Sequence, residues 1–392
     1  MTAASEVRRL VVFAGILTTT IASAPRAQLA DPSGWHVERA TLAPDARPRP
    51  DAIALVSGIA YRPDVQLLDG ELRFVLAPPA GQFAGVAFRM ASAADYEILY
   101  FRSSTDCGCW IDMQYQPVFQ GETTWQLYND STYTAVVPRS HRRGDLAVRI
   151  VLAGSRADVY LGGDKRPVLR TRLVREPIAG GVGFWAIPDQ YKQPAELRGL
   201  SVDANARPSL APLAPALDSF ASTRITGWLL SPRQPATSIE PPATLPEFAA
   251  SDTVRWVPSR PDASGLIDLT KQLGNAAGPQ TMNVFGGAGW GVAYARIRLV
   301  SNHAQTRRLW FSYSDGVGVY VDGQRVYNGR NDYGSKSPDF LGALGPETEF
   351  VDLPLRAGPT DIALAITDKA FGWGFRAHLD SMDGVTIVRL GP

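Results

Sequence analysis

The residues with the clearest chemical potential are aromatic side chains interleaved with amides in the first half of the chain. Sugar rings present apolar C–H faces that stack on Trp and Tyr, while amide, carboxylate and guanidinium groups recognise their hydroxyls. Two adjacent runs have this mixture, and their members are Gln114, Tyr115, Gln116, Trp125, Gln126 and Tyr128. The pattern predicts a carbohydrate-binding surface. Aromatic residues at period two are also enriched in strands, which favours the alternative that Tyr115 and Trp125 are core residues.

A second group of binding candidates follows in the last third of the chain, at positions typical of loops and strand ends. Loops on a rigid sandwich are where binding residues tend to lie. The candidates are Trp290, Asn328, Asp332, Trp373 and Arg376, with Tyr327, Asn331 and Tyr333 beside them. The alternative is that Trp373 only packs against the glycine-rich turns around it.

Three aspartates of the same region, Asp315, Asp322 and Asp332, could supply oxygen ligands to a structural Ca²⁺. Two of them precede a glycine, however, and Asp-Gly is first a turn signal. No other cofactor is indicated. The only cysteines, Cys107 and Cys109, are one residue apart, and no histidine lies near them in the sequence. We interpret them as two thiols in a loop or a strained local disulfide rather than a metal or redox site.

Motifs for catalysis are missing from the sequence. Glycosidases of the lectin-glucanase type carry two carboxylates on one face of a strand, and Glu347, Glu349 and Asp352 come closest to that spacing but break its parity. There is no Gly-x-Ser-x-Gly elbow, His-Glu-x-x-His pair or phosphate loop. Arg89 and Glu97 are therefore the catalytic candidates only of an alternative, hydrolytic function.

Short alternating strands must position these residues. Segments of five to ten residues alternate apolar and polar side chains from residue 64 onward, and residues 124–128 are predicted to be one such strand. Hairpin patterns occur at residues 146–163 and 311–329, the second with turns predicted at Asp315-Gly316 and Asp322-Gly323.

Two all-β domains follow from this organisation. At 392 residues the chain exceeds what one hydrophobic core usually organises. The sequence predicts two β-sandwich (jelly-roll) domains, residues 31–203 and 223–392, joined by a proline-rich linker over residues 204–222.

The N-terminal 30 residues have the pattern of a secretory signal peptide. Arg8 and Arg9 precede an apolar stretch over residues 10–21, and small residues at positions 22–27 offer a cleavage site. No second apolar run is long enough to span a membrane, so a secreted or periplasmic protein is predicted. The chain has 39 basic and 38 acidic residues without a basic stripe, which gives no electrostatic reason to expect nucleic acid as a partner. The sequence does not determine the oligomeric state.

The first unit resembles the concanavalin A-like lectin and glucanase fold, in particular its laminin-G-like branch. The phrases that carry the resemblance are Phe83-Ala-Gly-Val-Ala-Phe-Arg-Met90, Tyr96-Glu-Ile-Leu-Tyr-Phe-Arg102 and Trp125-Gln-Leu-Tyr128. The order Gly-Val-Ala-Phe-Arg followed by Tyr-Glu is also similar to the jelly rolls of 3-keto-disaccharide hydrolases, a resemblance that would imply cleavage of oxidised sugars.

The second unit resembles a galactose-binding-like jelly roll, an accessory module common in exported glycosidases. Its carriers are Val317-Gly-Val-Tyr-Val-Asp-Gly-Gln-Arg-Val-Tyr327 and Phe371-Gly-Trp-Gly-Phe-Arg-Ala377. Together the two resemblances imply an exported protein that binds a glycan without a catalytic motif. The alternatives are a glycoside-acting hydrolase and a structural or protein-binding surface module, because such folds host all three roles.

Overall fold

A computed structural model describes residues 34–42, 52–77, 82–104, 106–188, 194–214, 218–251, 253–274 and 290–388. The predicted signal peptide lies outside these residues. Regular structure within them is almost entirely antiparallel β-strand, which confirms the predicted all-β class. The helices in this part of the chain are all too short to cross a membrane.

The first unit, residues 36–203, forms one antiparallel sheet. Its strands in the described residues are β1 His36–Leu42, β2 Ala52–Leu67, β3 Gly70–Ala77, β4 Gln82–Ser92, β5 Asp95–Ser104, β6 Cys109–Phe119, β7 Glu122–Thr123, β8 Thr134–Val136, β9 Leu146–Ala153, β10 Arg156–Leu161, β11 Leu169–Arg172, β12 Gly180–Pro188 and β13 Ala195–Asp203. The order across the sheet is β11-β10-β9-β3-β13-β2-β12-β4-β5-β6-β7, with β1 on β2 and β8 on β6.

The long strand β2 folds this sheet over on itself. Its first residues pair with β13 and its later residues pair with β12, and Gly58 at the start of the second stretch has a φ of +98°. Residues from both ends of the sheet, such as Leu152 and Met113, belong to one buried core. The unit is therefore a sandwich whose two layers are joined through a strand that switches layers at a bend.

The second unit, residues 228–388, is a sandwich of two separate sheets. Its elements in the described residues are β14 Trp228–Leu230, β15 Gln234–Pro235, α1 Glu247–Ala250, β16 Val257–Ser259, β17 Ile267–Asp268, α2 Leu269–Leu273, β18 Gly291–Ser301, β19 Gln305–Ser314, β20 Gly316–Val321, β21 Gln324–Arg330, β22 Glu349–Leu355, β23 Gly358–Asp368, β24 Gly374–Leu379 and β25 Val385–Val388. One sheet follows the order β16-β14-β18-β23-β20-β21, with β15 and β25 on β18; the other follows β17-β24-β19-β22. Side chains from both sheets, including Trp228, Phe311 and Phe375, form one core between them.

One local prediction from the sequence is confirmed and two are wrong. Asp322-Gly323 forms the predicted hairpin turn between β20 and β21, with both φ angles positive. The prediction of a hairpin turn at Asp315-Gly316 is wrong, because β19 and β20 on either side belong to different sheets. The predicted strand over residues 124–128 is also wrong, because this segment is a turn.

Candidate functional site

The turn after β6 forms a projection on the first unit, which we call the docking segment, residues 122–128. Two buried amides of β6 fasten it. Gln116 Oε1 accepts a hydrogen bond from Thr124 N (2.6 Å), and Gln114 Nε2 donates to the carbonyl oxygens of Trp125 (2.9 Å) and Tyr128 (2.6 Å). The amides predicted to read sugar hydroxyls are therefore occupied in holding a turn.

The docking segment inserts into the second unit through Gln126, which is fully buried. Its side chain donates to Leu341 O (3.0 Å) and accepts from Ser314 Oγ (3.2 Å). Its backbone donates to Phe371 O (3.4 Å) and accepts from Leu344 N (2.7 Å). Because one residue makes four hydrogen bonds across the boundary, the two units are joined by a specific interface.

Tyr128 extends this interface into the interior. Its hydroxyl donates to Asp268 Oδ2 at 2.6 Å, and its ring packs with Leu127, Leu266 and Leu344. Burial raises the pKa of Asp268 to about 6, although the bond from Tyr128 opposes that shift. Tyr128 therefore contacts the second unit and is buried in this structure.

Three aromatic side chains from both units meet at the edge of this interface, and we call them the junction cluster: Trp125, Tyr333 and Phe371. The Trp125 ring lies 5.2 Å from Phe371 and 6.4 Å from Tyr333, measured between centroids. Tyr333 is 37% exposed, and the other two are half-buried. The cluster therefore presents aromatic surface to solvent.

The backbone at Phe371 is held in an uncommon conformation. Its φ is +74°, a left-handed value that is an outlier for a bulky residue. The carbonyl of Phe371 accepts from Gln126 N, and the next amide, Gly372 N, donates to Glu122 Oε1. Strain of this type persists only where surrounding contacts fix it, and it concentrates at functional sites.

A charged pair lies beside the cluster on the first unit. Arg102 of β5 and Asp112 of β6 face each other across the sheet and form two hydrogen bonds, one of them from Nε to Oδ1 at 3.0 Å. Burial acts to lower the pKa of Arg102, but its bonds to Asp112 hold it above the ordinary value, and the Tyr333 phenol is near enough to contribute. The guanidinium side chain is 40% exposed. Stacking surface and planar hydrogen-bonding groups thus lie together.

Two other aromatic residues on the same face of the first unit, Tyr100 and Trp185, are closed to solvent. The Tyr100 ring lies 5.5 Å from Trp185 and 6.0 Å from Phe83. Tyr100 and Trp185 are each only 6% exposed, and the Tyr100 hydroxyl donates to Gln114. Tyr100 and Trp185 therefore do not offer an open binding platform, and Phe83 beside them is half-buried.

The candidates of the last third of the chain are dispersed. Asn328 is exposed on β21, whereas Arg376 is half-buried on β24 in the other sheet. Trp373 is fully buried in the core of the second unit. Trp290 is half-buried, with Lys369 Nζ 5.8 Å from its ring centroid. These four do not form one site.

Glu97 and Arg89 lie inside the first unit, as does Tyr115. Tyr115 is a core residue and donates to Glu97 Oε1 at 2.9 Å, while Arg89 Nη1 lies 3.6 Å from Glu97 Oε2. Burial raises the pKa of Glu97 to about 7 against the opposing effect of Arg89. Since Gln114 and Tyr115 are neighbours on a strand, they face opposite sides of the sheet. Arg89, Glu97 and Gln114 therefore do not line one open cleft.

Protein donors occupy the three aspartates considered for calcium. Asp315 accepts from the backbone amides of Lys369 and Ala370, Asp322 accepts from the amide of Asp361, and Asp332 is paired with Arg330 and Lys369. The described residues contain no group of three or more His, Cys, Asp or Glu side chains arranged to hold a metal ion. Cys107 and Cys109 form a disulfide, one of the two states left open by the sequence.

Sequence reasoning missed Tyr333 as a partner of Trp125, and it missed Phe371, Arg102 and Asp112. The signal for the charged pair was present, because Arg102 and Asp112 are at facing ends of two predicted strands. The aromatic partners are more than 200 positions away from Trp125, and no local pattern connects them.

Comparison with known proteins gave no match to a family model and none to a curated protein. The solved structures that are similar to parts of the chain include the following three. Carbohydrate-binding module CBM66 from Bacillus subtilis is 13% identical over 43% of this chain and 93% of that one, with a TM-score of 0.29. A Bacillus subtilis protein of unknown function with a galectin-like fold is 10% identical over 47% and 94%, with a TM-score of 0.33. A family 35 carbohydrate-binding module from an environmental isolate is 20% identical over 25% and 72%, with a TM-score of 0.18.

Proposed function

We propose that the protein binds a glycan at the junction cluster. The observation that carries the proposal is that Trp125, Tyr333 and Phe371 converge from two units while keeping exposed surface beside the Arg102–Asp112 pair. A sugar ring stacks its apolar face on such aromatics, and guanidinium and carboxylate groups hydrogen-bond its hydroxyls.

Both units are needed for this site. Trp125 and the charged pair belong to the first unit, and Tyr333 and Phe371 belong to the second. The four hydrogen bonds of Gln126 fix the two halves relative to each other. A site held in place by such an interface loses little conformational freedom when the ligand binds.

The test is a glycan-array screen of the protein, followed by calorimetric titration of the best glycan. Trp125→Ala and Tyr333→Ala should each weaken binding by about 10- to 100-fold, because each removes about 1.5–3 kcal/mol of stacking and burial. Phe350→Ala is the matched control, since Phe350 is 41% exposed on β22 and its ring packs against Trp310, outside the cluster. Unchanged affinity in both cluster variants would refute the site.

Product analysis after long incubation addresses the alternative, hydrolytic function. Binding without released product is the expected result, because the buried Glu97 is not accessible from the cluster. Released oligosaccharide that disappears in Glu97→Gln would establish the hydrolase instead.

We also propose that the protein works outside the cytoplasm. The Cys107–Cys109 disulfide supports this, because disulfides persist in oxidising compartments. N-terminal sequencing of protein recovered from the exported fraction should show a mature start within positions 22–31. A full-length chain retained in the cytoplasm would contradict export.

A further inference from the structure

Two buried acids meet where the units join. Glu122 of the docking segment is 1% exposed, and Asp368 at the end of β23 is 2% exposed. Glu122 Oε1 accepts from Gly372 N (3.3 Å), and Asp368 Oδ2 pairs with Arg233 Nη2 (2.8 Å). This arrangement uses one oxygen of each carboxyl.

The other oxygens of the two acids, Glu122 Oε2 and Asp368 Oδ1, have no donor among the described residues. The two carboxyls are nevertheless close enough to influence each other's ionisation. An ionised carboxylate only accepts hydrogen bonds, so the pair can bond only when one member carries a proton. A proton shared by the two carboxyls would supply a hydrogen-bond donor that the described residues do not.

The surrounding charges favour this proton. Within the part of the chain that the structure describes, Glu122 and Asp368 interact with the Asp315 carboxyl and with the Arg233 guanidinium. Asp315 is itself buried and receives only backbone amides and a hydroxyl. Further from the two acids, Lys369 and Arg330 form ion pairs with Asp332. Three ionised carboxylates beside one guanidinium would leave a net negative charge in the interior. Because burial penalises such a charge, it favours protonation of one of the carboxyls.

We propose that Glu122 and Asp368 share one proton, and that this proton fastens the docking segment to the second unit. Docking is then coupled to pH: loss of the proton places two like charges against each other inside the interface. The proposal concerns the contact between the units and does not depend on the ligand.

The pKa directions agree with this geometry. Burial raises the pKa of Glu122 well above its ordinary value of 4.5, and Asp368 adds to the effect. Burial also raises the pKa of Asp368 to about 6, against the attraction of Arg233. A carboxyl with a raised pKa in the docked state favours docking below its ordinary pKa, and that contribution is lost as the pH rises through the raised value. Docking is therefore strongest at acid pH and weakens through pH 6 and above.

The consequence for ligand binding rests on the proposed function. Separation of the units would move Trp125 away from Tyr333 and Phe371, so the glycan would be held at acid pH and released as the pH rises. The experiment below measures docking directly, so its failure is distinct from a failure to bind glycan.

The test is hydrogen–deuterium exchange of the full chain at pH 5 and pH 8, corrected for the intrinsic pH dependence of amide exchange. Protection of residues 122–128 should fall by about tenfold or more at pH 8, because the docking equilibrium changes about tenfold for each pH unit between the ordinary and the raised pKa. Amides of β9 serve as the internal reference and should keep their protection. Equal corrected protection of the docking segment at both pH values would overturn the proposal.

Glu122→Gln tests whether the pH dependence of docking arises from the Glu122–Asp368 pair. Its amide can donate permanently to Asp368 Oδ1 while its oxygen still accepts from Gly372 N, so protection should persist at pH 8. Asp352→Asn, an exposed acid of the second unit, is the matched control and should behave like the wild type. If Glu122→Gln loses protection at pH 8 as the wild type does, the shared proton is not at this pair.

Discussion

Two buried glutamates of the first unit, Glu97 and Glu122, differ in the groups that surround them. Glu97 has its partners within its own unit: the Tyr115 hydroxyl donates to Oε1 at 2.9 Å, and the Arg89 guanidinium forms an ion pair with Oε2 at 3.6 Å. Glu122 projects from the docking segment and meets another acid, Asp368, from the second unit. Both are 1% exposed or less.

Glu97 therefore affects the stability of the first unit, whereas Glu122 affects the attachment of one unit to the other. Removing the cation beside Glu97 leaves an uncompensated group in a core, whereas a change at Glu122 acts on an interface that can open. A buried carboxyl with a raised pKa is thus not by itself a sign of catalysis, because structural networks also shift pKa values. The following predictions test this contrast, from the largest effect to the smallest.

Arg89→Met should destabilise the first unit by about 3–5 kcal/mol, because it removes the buried partner of Glu97. Arg89 also donates to the carbonyl oxygens of Leu68 and Gly154, so its loss leaves further acceptors unsatisfied. Urea denaturation at pH 7 measures the effect. Arg73→Met is the control, since that side chain is 58% exposed. A similar loss of unfolding free energy in the two variants would show that the buried ion pair contributes no more than the surface pair.

Glu97→Gln should remove a pH dependence from the stability of the first unit. The pKa of Glu97 is raised to about 7, so its contribution is complete below the ordinary value of 4.5 and is lost as the pH rises through about 7. The wild type should lose about 2 kcal/mol of unfolding free energy between pH 5 and pH 8 that the variant keeps. Urea titrations of both proteins at the two pH values measure this. A variant with the wild-type slope would show that Glu97 keeps its ordinary pKa.

Tyr128→Phe should weaken the docking of the two units by about 1–2 kcal/mol, because Asp268 Oδ2 loses a buried hydrogen-bond donor. The loss should appear as faster exchange of the docking segment, with the β9 amides unchanged. Tyr61→Phe provides the comparison: its hydroxyl bonds the exposed Glu38 at 3.1 Å and its removal should have little effect. A loss of protection spread evenly over both units would mean that Tyr128 stabilises the first unit rather than the junction.

Asp352→Asn should have the smallest effect. It breaks an exposed pair with Arg308 on the second unit, and such pairs contribute little in water. The midpoint temperature should remain within about 1 °C of the wild type in a thermal scan. A larger shift would show that exposed ion pairs matter here as much as buried ones.

Alternation of apolar and polar residues was sufficient to predict the all-β class and most strand positions. β3 and β9, for example, lie where the period of two places them, because each packs one face on the core of the first unit. The Asp322-Gly323 turn was predictable for a similar local reason, since its two residues accept positive φ angles.

The docking segment was not predictable in this way. The sequence Trp125-Gln-Leu-Tyr128 alternates like a strand, yet Gln126 and Tyr128 point into a unit whose partner groups lie 140 or more positions away. Tertiary contacts overrode the local preference. For the same reason the aromatic candidate Trp125 could be singled out, but its partners Tyr333 and Phe371 could not.

The hydrogen bond from Gly372 to Glu122 joins residues 250 positions apart. At synthesis rates of about 5–20 residues per second, the docking segment leaves the ribosome roughly 12–50 s before its partner exists. During that interval the nascent chain carries Trp125, Leu127 and Tyr128 without the surface that covers them. The first half of the protein therefore exposes an apolar surface at residues 125–128 until the second unit has been made, and we expect factors that shield nascent chains to bind this stretch.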